Sequence, residues 1–386
     1  IIFFGINLIF GQNIKIPEIT PEQKENANTV KISDFQTIEY KSYNKVISSN
    51  KYVVLVLSEI GFNALDLSEN YNKSNKIKNL NVTVYNSSGV KVKKFGKADF
   101  KDRSLLDDST MFSDSRLLFL DYTPTAYPFV LEYECETESV NTAFLNAWSP
   151  ISRLHETVLE AKLEIIKTPE FEVNLKFQKL EEFNVEKLDS STKTIFTAKN
   201  IMAIKPEAYA DYSKEFPFVK MYLNKASLEG YELNMTSWDE FGKMFYDYFI
   251  KDNGTISDKT KLKLDNIISA NDSKLDKIKK IYKYVQDNTR YVSVQVGIGG
   301  WKPMEVSDVE KYGYGDCKAL SNFTRSLLKA YDVESYYTVI YGGDKKKFDE
   351  EIISMQGNHA ILAVPNDENY IFLECTSQTN PFSYLS

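Results

Sequence analysis

One cysteine in this chain stands where a thiol can become a nucleophile. Cys317 follows Gly313-Tyr314-Gly315-Asp316 and opens a stretch in which Leu320, Phe323, Leu327, Leu328 and Tyr331 recur at helical spacing. The two glycines suit a tight turn, and Asp316 is a favoured helix N-cap. Cys317 is therefore expected in the first turn of a helix, where unpaired backbone N–H groups and the macrodipole favour an anion and so the reactive thiolate. The chain has only two histidines, and one of them, His359, begins the apolar run Ala360–Val364. That run predicts a strand starting at the imidazole, and a second strand over 370–374 ends on Glu374. A thiol, a base to take its proton and a carboxylate to orient the base make up a thiol acyl-transfer site.

Two further residues lie close by in sequence. The loop Gly297-Ile298-Gly299-Gly300-Trp301-Lys302-Pro303 follows a strand expected over 290–296 and is glycine-rich enough to let a ligand approach its backbone closely. Trp301 and Gln295 are candidates for a substrate wall or an oxyanion donor, although core packing is the simpler reading of Gln295. Cys317, His359, Glu374 and Cys375 could also be written as zinc ligands. Short paired Cys spacing is lacking, however, and neighbours in a strand such as Glu374 and Cys375 point to opposite faces. No metal and no cofactor is expected.

The elements that must position these groups change character along the chain. From about residue 30 to 200 short strands dominate, among them 52–57, 80–85, 90–95, 117–122, 129–136, 158–166, 172–180 and 194–198. Such a run predicts an antiparallel β-sandwich. Asp107 and Asp108 sit in a stretch read as a solvated loop, since their spacing matches no calcium loop. Residues 201–235 read as edge strands or an interdomain wrap. Helical spacing begins at Ser237-Trp238-Asp239-Glu240, a capping-box pattern, with Trp238, Phe241, Phe245, Tyr248 and Phe249 on one face. That aromatic face is expected to pack between domains, with ligand stacking as the lesser reading. Further helices are expected over 258–268 and after Ser273. The expected layout is a β-sandwich domain over 30–235, a helical connector over 236–272 and a second, α+β domain over 273–386.

Gly315-Asp316-Cys317-Lys318, Asn358-His359-Ala360 and Leu373-Glu374-Cys375-Thr376 together resemble the transglutaminase-like superfamily of papain-type folds. The order of segments is similar to bacterial proteins that place a DUF3857 β-domain before such a core. The resemblance implies a transglutaminase-like, papain-type α+β core, a Cys317-His359-Glu374 triad and an acyl-enzyme formed on a protein or peptide amide. Transglutaminases commonly carry Asp at the third position, where this chain has Glu374. Hydrolysis of the thioester and its transfer to an amine both remain open, with the resemblance favouring hydrolysis. A non-catalytic binding or assembly protein on the same scaffold is the alternative.

Composition limits the partners. The 386 residues carry a net charge of −7 with 26% charged and 42% hydrophobic residues, an ordinary globular balance long enough for two domains. An acidic chain with no dense basic run argues against nucleic acid. Three cysteines do not suggest a disulfide framework; Cys135 alternates inward with Leu131 and Tyr133, and His155 reads as structural. Residues 1–12, apolar and then abruptly polar, read as the remnant of a secretory signal, so an exported protein of the periplasm or cell surface is expected. No stretch reaches membrane-spanning length. Sequence leaves the oligomeric state open, and the stop soon after Glu374 raises the expectation of a further C-terminal piece.

Overall fold

Alternation of side chains along single strands organises the first half of the molecule. The computed structural model describes residues 13–106, 110–144, 146–168, 172–343 and 346–385, so the stretch read as a signal and the Asp107-Asp108 pair lie outside the described residues. The chain divides into two compact units: residues up to 103 with 116–230, and 104–115 with 231–386. The segment 104–115, in the middle of the stretch assigned above to the first domain, groups with the second unit. There, Thr110–Ser113 pairs in parallel with Ser293–Gln295.

The first unit is built on strands β1 (Thr29–Ser42), β2 (Lys45–Val56), β3 (Asn75–Asn86), β4 (Lys91–Gly96), β5 (Phe129–Ser139), β6 (Glu156–Ile166), β7 (Glu186–Asp189) and β8 (Lys193–Ile201). They form one eight-stranded sheet in the order β7-β8-β6-β1-β2-β5-β3-β4. In β2 every residue from Tyr52 to Val56 is buried. Tyr52, Val54 and Val56 join one apolar cluster and Val53 and Leu55 another, as a period of two requires in a strand covered on both faces. Leu67 and Leu118, at a small antiparallel pair made by Ser68–Tyr71 and Arg116–Phe119, enter the first of these clusters. The hairpin from β3 to β4 turns where expected. Asn86 Oδ1 accepts from the N–H groups of Ser88 and Val90 at 3.0 Å each, and Gly89 takes φ +78°.

One pairing departs from the antiparallel expectation. β1 and β6 run parallel, with Thr29 opposite Glu156 and Glu39 opposite Ile166. Local patterning cannot show this, because β6 reaches the free side of β1 only after a long excursion through β2 to β5. β1 itself carries Ser33, Asp34, Gln36 and Thr37, which dilute its apolar alternation.

The second unit contains helices α1 (Trp238–Phe245), α2 (Asp258–Asp265), α3 (Lys274–Asn288), α4 (Val306–Tyr312) and α5 (Cys317–Lys329), and strands β9 (Tyr336–Ile340), β10 (His359–Asn366) and β11 (Asn369–Leu373). The strands form an antiparallel sheet with β10 in the centre. α5 lies in a core that joins Ile281 and Val285 of α3 and Val309 of α4 to Leu362 and Val364 of β10. Its Leu320, Leu327 and Leu328 are fully buried, each contributing roughly 1.5–3 kcal/mol by leaving water. α1 starts at the expected cap, with Ser237 Oγ accepting from Glu240 N–H at 3.2 Å. The reciprocal half of the capping box is replaced, since the Glu240 carboxylate turns to the Thr236 hydroxyl and the Asn234 amide. After Phe245 the helix continues as one wider π-helical turn, Tyr246–Ile250. The fold is α+β, with a sheet-rich N-terminal region, a helical region and a helix-and-sheet core. Among the described residues no helix is long and apolar enough to cross a membrane.

Candidate active site

The turn before Cys317 is shaped by its two glycines in different ways. Gly313 closes α4 in the left-handed conformation, φ +65°, a position an L side chain rarely adopts. Gly315 is required by space, because a Cβ there would meet the Ala319 Cβ at 2.7 Å. The neighbouring strand holds the turn through Arg290 N–H to Gly313 O and Val292 N–H to Gly315 O, both 3.0 Å. Asp316 caps α5, its Oδ1 accepting from Ala319 N–H at 3.0 Å, while its Oδ2 pairs with the buried Lys318 ammonium. Cys317 thus occupies the first position of α5, among donors that a helix leaves unpaired.

His359 is the first residue of β10, and Glu374 directly follows β11, so pairing of these two strands brings the side chains together. His359 Nε2 lies 2.7 Å from Glu374 Oε2, and the Cys317 thiol is near enough to the ring to act on its pKa. With Nε2 committed to the carboxylate, Nδ1 is the nitrogen left for the thiol. Burial alone would lower the imidazole pKa, but the interactions with Cys317 and Glu374 outweigh it and raise the value to about 10. For Glu374, burial pushes the other way as well. Its bonds to His359 and Thr376 nevertheless bring it below the ordinary carboxylate value. Glu374 Oε1 is fixed by Thr376, whose N–H donates at 3.0 Å and hydroxyl at 2.5 Å.

These shifts set a pH signature. A raised imidazole value means that His359 stabilises the folded state in full below pH 6.5 and loses that contribution as pH rises through about 10. The stability gap between the protein and a His359→Gln variant is expected to be level on the acid side, down to where Glu374 protonates. It should then narrow steadily over that alkaline interval, read from urea midpoints at each pH.

A pocket of about 530 Å³ opens beside Cys317 and His359, and both Trp301 and Gln295 line it. The Gln295 amide donates to Ser293 Oγ at 3.3 Å. For a further wall of the pocket, sequence reasoning favoured another role. Trp238, Phe241 and Phe245 of α1, expected to pack between domains, line this pocket together with Tyr337 and Phe348. Helical spacing placed the α1 rings on one face without showing what that face meets, and nothing local marked Tyr337. Burial, together with the charges of Cys317 and Asp316, pushes the Tyr337 hydroxyl well above its ordinary value and keeps it a neutral donor.

The other sulfur and imidazole groups lie elsewhere. Cys375 turns into the core of the second unit, and burial raises its thiol to about 12. Cys135 is buried in a cluster of the first unit. His155 meets the Asn26 carbonyl through Nδ1 at 2.8 Å. Among the described residues no three His, Cys, Asp or Glu side chains converge to hold a metal ion.

Both halves of the chain match known families. Residues 263–375 match the transglutaminase-like superfamily, and residues 44–205 match DUF3857, a domain of unknown function with a solved structure. The crystal structure of a proposed protease from Parabacteroides distasonis superposes with a TM-score of 0.63 at 13% identity, covering 92% of this chain and 68% of its own, a likeness of fold. An M1 zinc metallopeptidase from Deinococcus radiodurans reaches a TM-score of 0.23 at 4% identity over 50% of this chain and 42% of its own, too low to bear on the fold. No curated protein matches the sequence.

Proposed function

We propose that this chain, which carries a DUF3857 domain and a transglutaminase-like domain, is a cysteine-dependent enzyme that cleaves an amide of a peptide or protein through a thioester. The observation that carries the reading is His359, hydrogen-bonded to Glu374 and sharing the wall of a pocket with Cys317, whose thiol acts on the imidazole pKa. His359, whose raised pKa keeps it protonated at neutral pH, holds the proton taken from the thiol, and the Cys317 sulfur attacks the amide carbon to form a C–S bond. The carbonyl oxygen becomes an anion that the Cys317 N–H meets, with Trp301, Gln295 or Tyr337 as second donor. Collapse breaks the C–N bond while His359 returns its proton to the departing amine. Water, deprotonated by His359, then adds to the thioester, the C–S bond breaks, and the acid leaves as the sulfur recovers the proton. An amine in place of water would give transfer. We take hydrolysis as the outcome, in keeping with the description of the Parabacteroides structure as a proposed protease.

Iodoacetamide at neutral pH tests the nucleophile. One label is expected, on Cys317, faster than on free cysteine and absent from a Cys317→Ala variant, because burial raises the Cys135 and Cys375 thiols. Labelling no faster than free cysteine would overturn the enzymatic reading and leave a scaffold that binds.

A further inference from the structure

We infer that the pocket beside Cys317 receives a large, neutral, preferably aromatic side chain on the residue whose carbonyl is attacked; this rests on the thiol reading above. That side chain is joined to the carbon next to the reacting carbonyl, so it must lie in the space adjoining the sulfur. The space is walled by Trp238, Phe241, Phe245, Trp301, Tyr337 and Phe348. The rings brace one another. Phe245 and Tyr337 stack with centroids 6.3 Å apart, Trp238 meets Phe348 edge-on at 6.3 Å, and Trp238 Nε1–H donates to Glu350 O at 2.9 Å. Its volume of about 530 Å³ falls within the roughly 300–1,000 Å³ of small-ligand sites, enough for a ring and the adjoining peptide unit.

Charge narrows the choice. Among the described lining residues none is Asp, Glu or Arg, and the two that can be cationic, Lys318 and His359, are paired with Asp316 and Glu374. A cationic side chain would lie near two positive groups with no carboxylate to meet it. An anionic one would lose its hydration to cations already bonded elsewhere.

An independent observation comes from α1. Gly242 sits inside the helix, where glycine is unfavourable, and lines the pocket. A Cβ built there meets nothing within 4 Å. A larger residue would therefore fit the helix but would project into the space, so the glycine keeps the pocket open.

Chloromethyl ketones of N-acetylated Phe, Ala, Lys and Glu test the inference. In each, the Cys317 sulfur displaces chloride to form a thioether, and intact-mass spectrometry gives the rate. Phe is expected to react about tenfold or more faster than Ala, with Lys and Glu no faster than Ala. Gly242→Leu should bring the Phe-to-Ala ratio towards one. A flat series, or Lys fastest, alongside rapid iodoacetamide labelling would overturn the pocket assignment and leave the nucleophile standing. If Cys317 is inert to iodoacetamide, binding decides. Titration of a Cys317→Ala variant with N-acetyl-phenylalaninamide should give a saturable fluorescence change that N-acetyl-alaninamide does not, because two of the three tryptophans line this pocket. No difference between the two amides would overturn the inference.

Discussion

Replacing Glu374 with Gln is expected to slow acylation of Cys317 by roughly 10²–10⁴-fold while leaving the fold intact. The geometry makes the direction specific. Glu374 uses both oxygens, Oε1 to accept from the Thr376 N–H and hydroxyl and Oε2 to meet His359 Nε2. A glutamine has one oxygen to offer. The Thr376 backbone N–H needs an acceptor, whereas its hydroxyl can rotate, so the amide oxygen stays with Thr376 and the NH₂ faces the imidazole. His359 must then present an unprotonated Nε2 and carry its proton on Nδ1, the nitrogen that faces the thiol. The base is lost, and so is the charge that stabilises the imidazolium. Release of nitroaniline from N-acetyl-phenylalanine p-nitroanilide reads the rate, and circular dichroism checks the fold. An unchanged rate and pH profile would remove Glu374 from the mechanism and leave a Cys317–His359 pair.

Why the three groups could be read in the sequence while their surroundings could not is a question of range. Asp316 caps a helix and Gly313 ends one through bonds to residues within one turn, so a short window holds the whole cause. His359 and Glu374 sit at strand ends marked by apolar runs. The pocket wall differs: the rings of α1 meet Tyr337 and Phe348 about a hundred residues later, and helical spacing carries no information about that partner. The parallel pairing of β1 and β6 is hidden for the same reason. α5 was legible only by half. Its apolar stripe predicts one buried face, yet every residue from Cys317 to Leu328 is buried. Ser321, Asn322, Thr324 and Arg325 look like a solvent face until their partners are known. Ser321 donates to Ala360 O at 3.0 Å, and Asn322 donates to Asn253 Oδ1 at 2.9 Å.

Arg325 is the member of that polar face whose loss is expected to cost most. Its Nε donates to Asn322 Oδ1 at 3.0 Å, its Nη2 donates to Ile250 O at 2.9 Å, and the guanidinium lies 5.7 Å from the centroid of the Tyr246 ring. These contacts tie the helix that carries Cys317 to the end of the π-helical turn that continues α1. Arg325→Met keeps the aliphatic volume and removes both donors, leaving the buried Asn322 Oδ1 without its donor and the Ile250 carbonyl with only the 3.3 Å bond from Asn253 N–H. The expected loss is about 1–3 kcal/mol, the range for leaving a buried polar group unpaired. Arg325→Lys should recover little of it, because a single ammonium cannot span two acceptors as the planar fork does. Urea unfolding followed by tryptophan fluorescence measures the loss. Iodoacetamide labelling of the folded variant adds a second reading, in which the α1 wall loosens but Cys317 stays beside His359, since β10 and β11 hold the imidazole independently of Arg325. A variant as stable as the parent would show that solvent or neighbouring groups satisfy those acceptors, and that α1 is held to α5 by its rings alone.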